Sequence, residues 1–166
     1  MLLKDKICIV TGAGKGLGKE IAKEFYAQGA KLSLITRSQS DVDDLISEFD
    51  NERVLSICGD VSDANAVNQF IYQTVDKFGK IDVLVNNAGM RFRKEFLDIS
   101  EGELDKVLNV NLKSIVFLCQ KTLPYMIKNN NGKIINMSSI AGTLGFANLS
   151  GYVMSKAAII GLTKSL

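Results

Sequence analysis

Short runs of β-branched and aliphatic residues alternate along this chain with longer stretches in which apolar positions recur every three or four residues. Lys6–Thr11, Lys31–Thr36, Val54–Val61, Ile81–Gly89 and Gly132–Ser139 read as strands, and a helical stretch follows each of them. In the fourth strand Leu84 points to one face while Val83 and Val85 point to the other, so both faces need cover. Helices on either side of a parallel sheet supply that cover, and the fold class expected is α/β, a doubly wound parallel sheet in three layers. The helix that begins near Gly16 carries Ile21, Ala22, Phe25 and Tyr26 on one face and stops at Gly29, a residue suited to a left-handed cap. Ser100 followed by Glu103 has the spacing of a capping box for a long helix, and Pro124 is expected to bend or interrupt that helix before the polar turn Asn129–Gly132. A last helix is predicted over Ser150–Leu166. No repeat or linker divides the sequence, so residues 1–166 read as one domain.

Composition narrows the partners. A hydrophobic fraction of 46% is enough for a sizeable buried core. The 20 basic and 18 acidic residues are too evenly matched for a face that grips nucleic acid or an acidic membrane, so a small-molecule partner is expected, with no nucleic acid and no membrane. Histidine is absent, which excludes Ser-His catalytic pairs and His-containing zinc sites; no metal is expected, and proton chemistry falls to another side chain. Cys8, Cys58 and Cys119 are odd in number and lack CxxC spacing, as expected of small buried side chains in a reducing, cytoplasmic protein. The segment Met1–Lys6 is charged too early for a signal peptide, and no apolar run reaches membrane-spanning length.

Directly after the first predicted strand comes Thr11-Gly12-Ala13-Gly14-Lys15-Gly16-Leu17-Gly18, which opens a helix. Backbone amides approach a pyrophosphate closely only where no Cβ intervenes, and a helix N-terminus adds unpaired donors and partial positive charge. A dinucleotide is expected there, on Gly12, Gly14, Lys15, Gly16, Leu17 and Gly18, although the spacing Gly12-x-x-x-Gly16-x-Gly18 is not the GxGxxG of many dehydrogenases. The end of the second strand meets the adenosine ribose, where an acidic residue suits a free 2′-hydroxyl and an arginine suits a 2′-phosphate. That position holds Arg37, Lys15 adds a second cation, and no acid follows Thr36 until Asp41, so NADP(H) is preferred over NAD(H).

Tyr152 and Lys156 lie four apart in the last predicted helix and so share a face. A nearby ammonium stabilises a phenolate, which lets a tyrosine exchange protons with an alcohol or carbonyl. Asn87-Ala88-Gly89 ends the fourth strand, Asn109-Val110-Asn111-Leu112 is expected mid-helix, and Ser138-Ser139 ends the fifth strand, Ser139 standing thirteen residues before Tyr152. Together these pieces resemble the short-chain dehydrogenase/reductase family, in order and spacing, from the first strand through Lys156. The resemblance implies a Rossmann-like sheet, with Tyr152 as acid/base, Ser139 hydrogen-bonding the reacting oxygen, and Lys156 holding the nicotinamide ribose. It also implies that Asn111 organises a water linking Lys156 to solvent, that Asp60 and Val61 flank the adenine, and that Asn87, Ala88 and Gly89 line the cofactor cleft.

Within that family the pattern most resembles 3-oxoacyl-[acyl-carrier-protein] reductases of fatty-acid synthesis, whose substrate is carried on an acidic protein. The basic loop Met90-Arg91-Phe92-Arg93-Lys94 instead resembles sugar-acid dehydrogenases such as gluconate 5-dehydrogenase, and both alternatives stand. The family continues through two more strands and a substrate-covering segment, so the sheet is expected to be C-terminally incomplete at Leu166. A third alternative is therefore an inactive nucleotide-binding or structural fragment. The resemblance also implies a homo-oligomer, a tetramer or dimer.

Overall fold

The computed structural model describes the whole chain, residues 1–166. Strands β1 (Ile7–Thr11), β2 (Lys31–Thr36), β3 (Val54–Cys58), β4 (Val83–Asn86) and β5 (Lys133–Asn136) form one parallel sheet in the order β3-β2-β1-β4-β5. Alternation along each strand sorts its side chains between two cores. Ile9, Ile35 and Leu84 bury against Phe70 and Ile71 of helix α3 (Ala64–Phe78) and Ile115 and Leu118 of α5 (Ser114–Lys128). Cys8, Val10, Leu32, Leu34, Val83 and Val85 bury against Ala22 of α1 (Gly16–Ala27) and Leu45 of α2 (Gln39–Glu48). The result is the doubly wound, Rossmann-like arrangement that strands apolar on both faces require. No helix is long and apolar enough to cross a membrane.

Where the strands begin, Asp82 is 4% exposed and tethers three segments. Its Oδ2 accepts the Ile7 N–H at 2.9 Å and pairs with Lys80 at 2.9 Å, while its Oδ1 lies 3.7 Å from Lys6 and accepts from the Asn131 amide at 3.3 Å. Burial by itself would raise this carboxyl's pKa; the Ile7 N–H and the two ammonium groups outweigh burial and hold it below the ordinary value.

Helix boundaries follow local chemistry. Gly29 takes φ +90°, as a left-handed stop after α1 requires. The capping box before α4 (Glu101–Leu108) is complete: Ser100 Oγ accepts the Glu103 N–H at 3.3 Å and the Glu103 carboxylate accepts the Ser100 N–H at 3.0 Å. The long helix is not broken at Pro124, which lies inside α5. Both Pro124 and Gln120, whose carbonyl loses its helical partner, are exposed, so the lost bond falls on the solvent side of the helix. The interruption falls instead at Asn109–Lys113, which forms a π turn between α4 and α5.

Three strands end sooner than their apolar runs suggested. β3, β4 and β5 end at Cys58, Asn86 and Asn136; beyond them Asp60 Oδ1 accepts the Ser62 N–H at 2.8 Å, and the Asn87 amide turns toward the glycine loop. Cys58 also departs from expectation. Cys8 and Cys119 are buried, but Cys58 is exposed, because it is the last residue of an edge strand and nothing covers it.

Candidate active site

The chain crosses from β1 to β2 through α1 on one side and returns from β3 to β4 through α3, so the strand order reverses between β1 and β4 and the strand ends open at that switch point. A cleft of about 480 Å³ lies there, lined among others by Gly12, Gly14, Lys15, Arg37, Val61 and Asn87. Each glycine of the loop has its own reason. Gly12 adopts φ +65°, and a Cβ on it would stand 2.9 Å from the Ala88 Cα. Gly16 adopts φ +56° with open space around it, so only its backbone conformation favours glycine. Gly18 has no positive φ, yet a Cβ there would fall inside 3.0 Å of both the Gly12 carbonyl oxygen and Asn87 Nδ2. Lys15 stands at the N-cap of α1 and gives no side-chain cap, so the first N–H groups of the helix have no side-chain acceptor.

Thr11 and Asn87 lock the loop to the end of β4. Thr11 Oγ1 accepts the N–H groups of Asn87 and Ala88, each at 3.0 Å, and Asn87 Nδ2 donates to the carbonyls of Thr11 at 3.0 Å and Gly12 at 3.2 Å. Sequence reasoning passed over Thr11, although a hydroxyl at the last position of a buried strand is itself a signal that backbone donors wait nearby. It also passed over Thr36, Ser38, Asp41, Gly59 and Val110, which line the same cleft. Val61 lines it; Asp60 is outside its lining, and the Asp60 carboxylate accepts the Ser62 N–H and hydroxyl.

A second cleft of about 290 Å³ shares Asn87 and Gly89 with the first and so continues it. Leu17, Arg91, Ser138, Tyr152 and Lys156 line this part. Helix α6 (Ser150–Ser165) carries Tyr152 and Lys156, and the Lys156 ammonium lies 5.7 Å from the Tyr152 ring centre. Lys156 is 5% exposed, donates to the Met137 carbonyl at 2.6 Å, and has its pKa lowered by burial. Its ammonium comes within 3.8 Å of the point where a Gly89 Cβ would stand, and Asn111 Oδ1 within 3.4 Å of the same point. Gly89 therefore stands in ordinary contact range of both side chains.

Asn111, in the π turn, is fully buried. Its Oδ1 accepts the Met90 N–H at 2.8 Å, and its Nδ2 donates to the Met90 carbonyl at 2.9 Å and to Ser155 Oγ at 3.0 Å. It thereby ties the loop after β4 to the residue beside Lys156. Ser139 caps the short 3-10 turn Ile140–Gly142 by accepting the Ala141 N–H at 3.1 Å, which leaves its own hydroxyl proton available. Ser138, not Ser139, lines the cleft, and its hydroxyl donates to the Lys156 carbonyl at 2.8 Å. The turn sits tightly on α6: a Cβ on Gly142 would lie 2.8 Å from the Lys156 carbonyl oxygen. The structure thus brings the glycine loop, Arg37, Asn87, Gly89, Tyr152 and Lys156 onto one continuous cleft, with Asn111 and Ser139 in its supporting walls.

Comparison with known proteins gives this arrangement its place. Residues 6–166 match the family described as short chain dehydrogenase. The chain belongs to that family. This short-chain dehydrogenase is similar to the 3-oxoacyl-[acyl-carrier-protein] reductase FabG of Thermotoga maritima, with 37% identity over 99% of the chain and 68% of the relative. It is also similar to the (2S)-[(R)-hydroxy(phenyl)methyl]succinyl-CoA dehydrogenase subunit BbsD of Thauera aromatica, with 35% identity over 100% of the chain and 67% of the relative. A crystal structure of a short-chain dehydrogenase from Streptomyces avermitilis superposes with a TM-score of 0.91 at 32% identity, covering 96% of this chain. The chain spans 60% of the length of that protein.

Proposed function

We propose that this short-chain dehydrogenase is an oxidoreductase that moves a hydride between NADP(H) and a carbonyl or secondary alcohol, with a β-keto thioester of an acyl-carrier protein as its substrate in fatty-acid synthesis. The observation that carries the reading is the single cleft that runs from Lys15 and Arg37, past Asn87 and Gly89, to Tyr152 and Lys156. A nicotinamide dinucleotide fits its residues: Gly12 and Gly18 have no room for a Cβ, the start of α1 offers free N–H donors, and two cations flank the end of β2. Gly12, Gly14, Lys15, Gly16, Leu17 and Gly18 would hold its phosphates, Arg37 its 2′-phosphate, and Asn87, Ala88, Gly89 and Lys156 the nicotinamide half. When bound, the cofactor supplies or accepts the hydride.

The chain's own residues manage the proton and the charge. Tyr152 donates its phenolic proton to the carbonyl oxygen as negative charge gathers there, and takes a proton back in the reverse direction. Ser139 stands in the wall behind Ser138, and its hydroxyl proton, left uncommitted because Ala141 donates to its oxygen, would turn into the cleft to give the carbonyl oxygen a second hydrogen bond. Lys156, pressed into a buried site with one carbonyl partner, places its positive charge beside the Tyr152 ring and steadies the phenolate. Asn111 positions Lys156 indirectly, through Met90 and Ser155. We place the protein in the cytoplasm as a homo-oligomer, a dimer or tetramer, with residues 1–166 as its dinucleotide-binding domain.

One observation favours a second substrate class. Arg91 lines the cleft beside Tyr152 and Lys156 and makes no ion pair, while Lys94 is neutralised by Glu103 at 2.8 Å. An unpaired guanidinium there suits a sugar acid, the substrate of a gluconate 5-dehydrogenase-like enzyme. The test is NADPH consumption with acetoacetyl thioester and with a keto-sugar acid, by the wild type and by Tyr152→Phe. The thioester should be reduced and the variant should lose on the order of 10²–10⁴-fold in turnover. Turnover of the sugar acid alone would move the reading to the second class, and a variant that kept its rate would remove Tyr152 from the chemistry.

A further inference from the structure

The end of β2 carries a feature that the order of residues conceals. Asp41 stands five residues beyond Thr36, in the first turn of α2, yet its carboxylate folds back into the cleft that holds Lys15 and Arg37. Asp41 Oδ2 accepts the Thr36 hydroxyl at 3.0 Å. The side chain also lies flat against Gly14, where any Cβ would fall inside 3.0 Å of the carboxylate, so glycine at 14 makes room for it. Its Oδ1 accepts no hydrogen bond from the protein, and no ion pair forms between Asp41 and either cation. Two unpaired cations and one half-satisfied carboxylate therefore face the same space.

These groups respond oppositely to the two forms of an adenosine ribose. A 2′-phosphate gains charge-assisted hydrogen bonds from Arg37 and Lys15 and is repelled by Asp41. A free 2′-hydroxyl has a proton to give to Asp41 and little to gain from the cations. We propose that Asp41 is a specificity-determining residue that reads the 2′ position against Arg37, so that the protein accepts NADH as well as NADPH and its preference for NADPH is held down. The proposal rests on the reading that this cleft binds a nicotinamide dinucleotide with Arg37 at the 2′ end. A purely structural role, in which the Asp41 to Thr36 bond only closes the turn between β2 and α2, would affect both cofactors alike.

The experiment is an equilibrium titration of NADPH and NADH, followed by nicotinamide fluorescence, into the wild type, Asp41→Asn, Asp41→Ala and Arg37→Ala. Asp41→Asn keeps an acceptor oxygen for Thr36 and removes the charge. The expected result is tighter NADPH and weaker NADH in both Asp41 variants, with the ratio of their dissociation constants shifting on the order of tenfold toward NADPH. An unchanged ratio, or equal weakening of both cofactors, would overturn the proposal. Arg37→Ala reports on the underlying reading separately: it should weaken NADPH and spare NADH. If Arg37→Ala leaves NADPH unaffected, or if the wild type binds neither cofactor, the 2′ assignment itself fails and the proposal falls with it.

Discussion

Replacing Gly18 with alanine tests the packing of the glycine loop more sharply than any change at its neighbours. The added Cβ would lie inside 3.0 Å of the Gly12 carbonyl oxygen, a backbone atom, and of Asn87 Nδ2. Relief requires the loop to move away from α1 or Asn87 to give up its bonds to Thr11 and Gly12 at 3.0 and 3.2 Å. Overpacking costs about 1–3 kcal/mol, and each lost hydrogen bond about 0.5–1.5 kcal/mol. With both bonds lost the sum is a destabilisation of about 2–6 kcal/mol, or a fall in Tm of roughly 4–24 °C at about 2–4 °C per kcal/mol for a domain of this size. Gly16→Ala is the matched control, since a Cβ at 16 meets nothing within 4 Å and only the φ of +56° resists it. That conformation costs about 1–2 kcal/mol, partly offset by about 0.4–1 kcal/mol from a stiffer unfolded chain. Thermal and urea melts of both variants without ligand decide the matter. If Gly18→Ala melts no lower than Gly16→Ala, the loop is not packed as described.

Other regions give equally definite expectations. Asp82→Ala leaves the buried Ile7 N–H unpaired and should cost about 1–3 kcal/mol in a urea melt; because the folded pKa of Asp82 is lowered, its contribution is present above the unfolded pKa and is lost as pH falls through the folded one. The Glu103 pKa is held down to about 2 by the Lys94 ammonium and the Ser100 N–H and hydroxyl. Its stabilisation is therefore complete above its ordinary value of 4.5 and disappears as pH falls toward 2, so Glu103→Gln should flatten the Tm profile in that window and leave the rest of the curve parallel. Of the three thiols, Cys58 alone should react with an aromatic disulfide reagent in the folded state at mild alkaline pH. Cys119 is buried, and Cys8 is pushed up to about 12 by burial and the nearby Asp82 charge; labelling of more than one thiol per folded chain would contradict this.

The sheet was legible because its strands are apolar on both faces, a pattern that only a covered parallel sheet satisfies, and because Gly29 and the Ser100–Glu103 pair mark helix ends by mechanisms that act within a few residues. What the sequence concealed depended on partners far along the chain. Asn87 and Asp60 lie past the strand ends and bond within loops, to partners that the apolar runs do not reveal. The effect of Pro124 depends on whether its turn of the helix faces solvent, which is a tertiary fact. At the site, Tyr152 and Lys156 share a face through helical spacing alone, whereas the placing of Asp41 against Gly14 joins two elements and has no local signature.

The central claim is that the cleft at the strand ends cradles a nicotinamide dinucleotide with its 2′ end at Arg37. Titrating NADPH into the protein while following nicotinamide fluorescence, then adding adenosine 2′,5′-bisphosphate as competitor, tests it directly. Saturable binding that the bisphosphate displaces, with adenosine 5′-monophosphate a weaker competitor, is the predicted result. Binding of neither NADPH nor NADH, or displacement that ignores the 2′-phosphate, would contradict the assignment of this cleft.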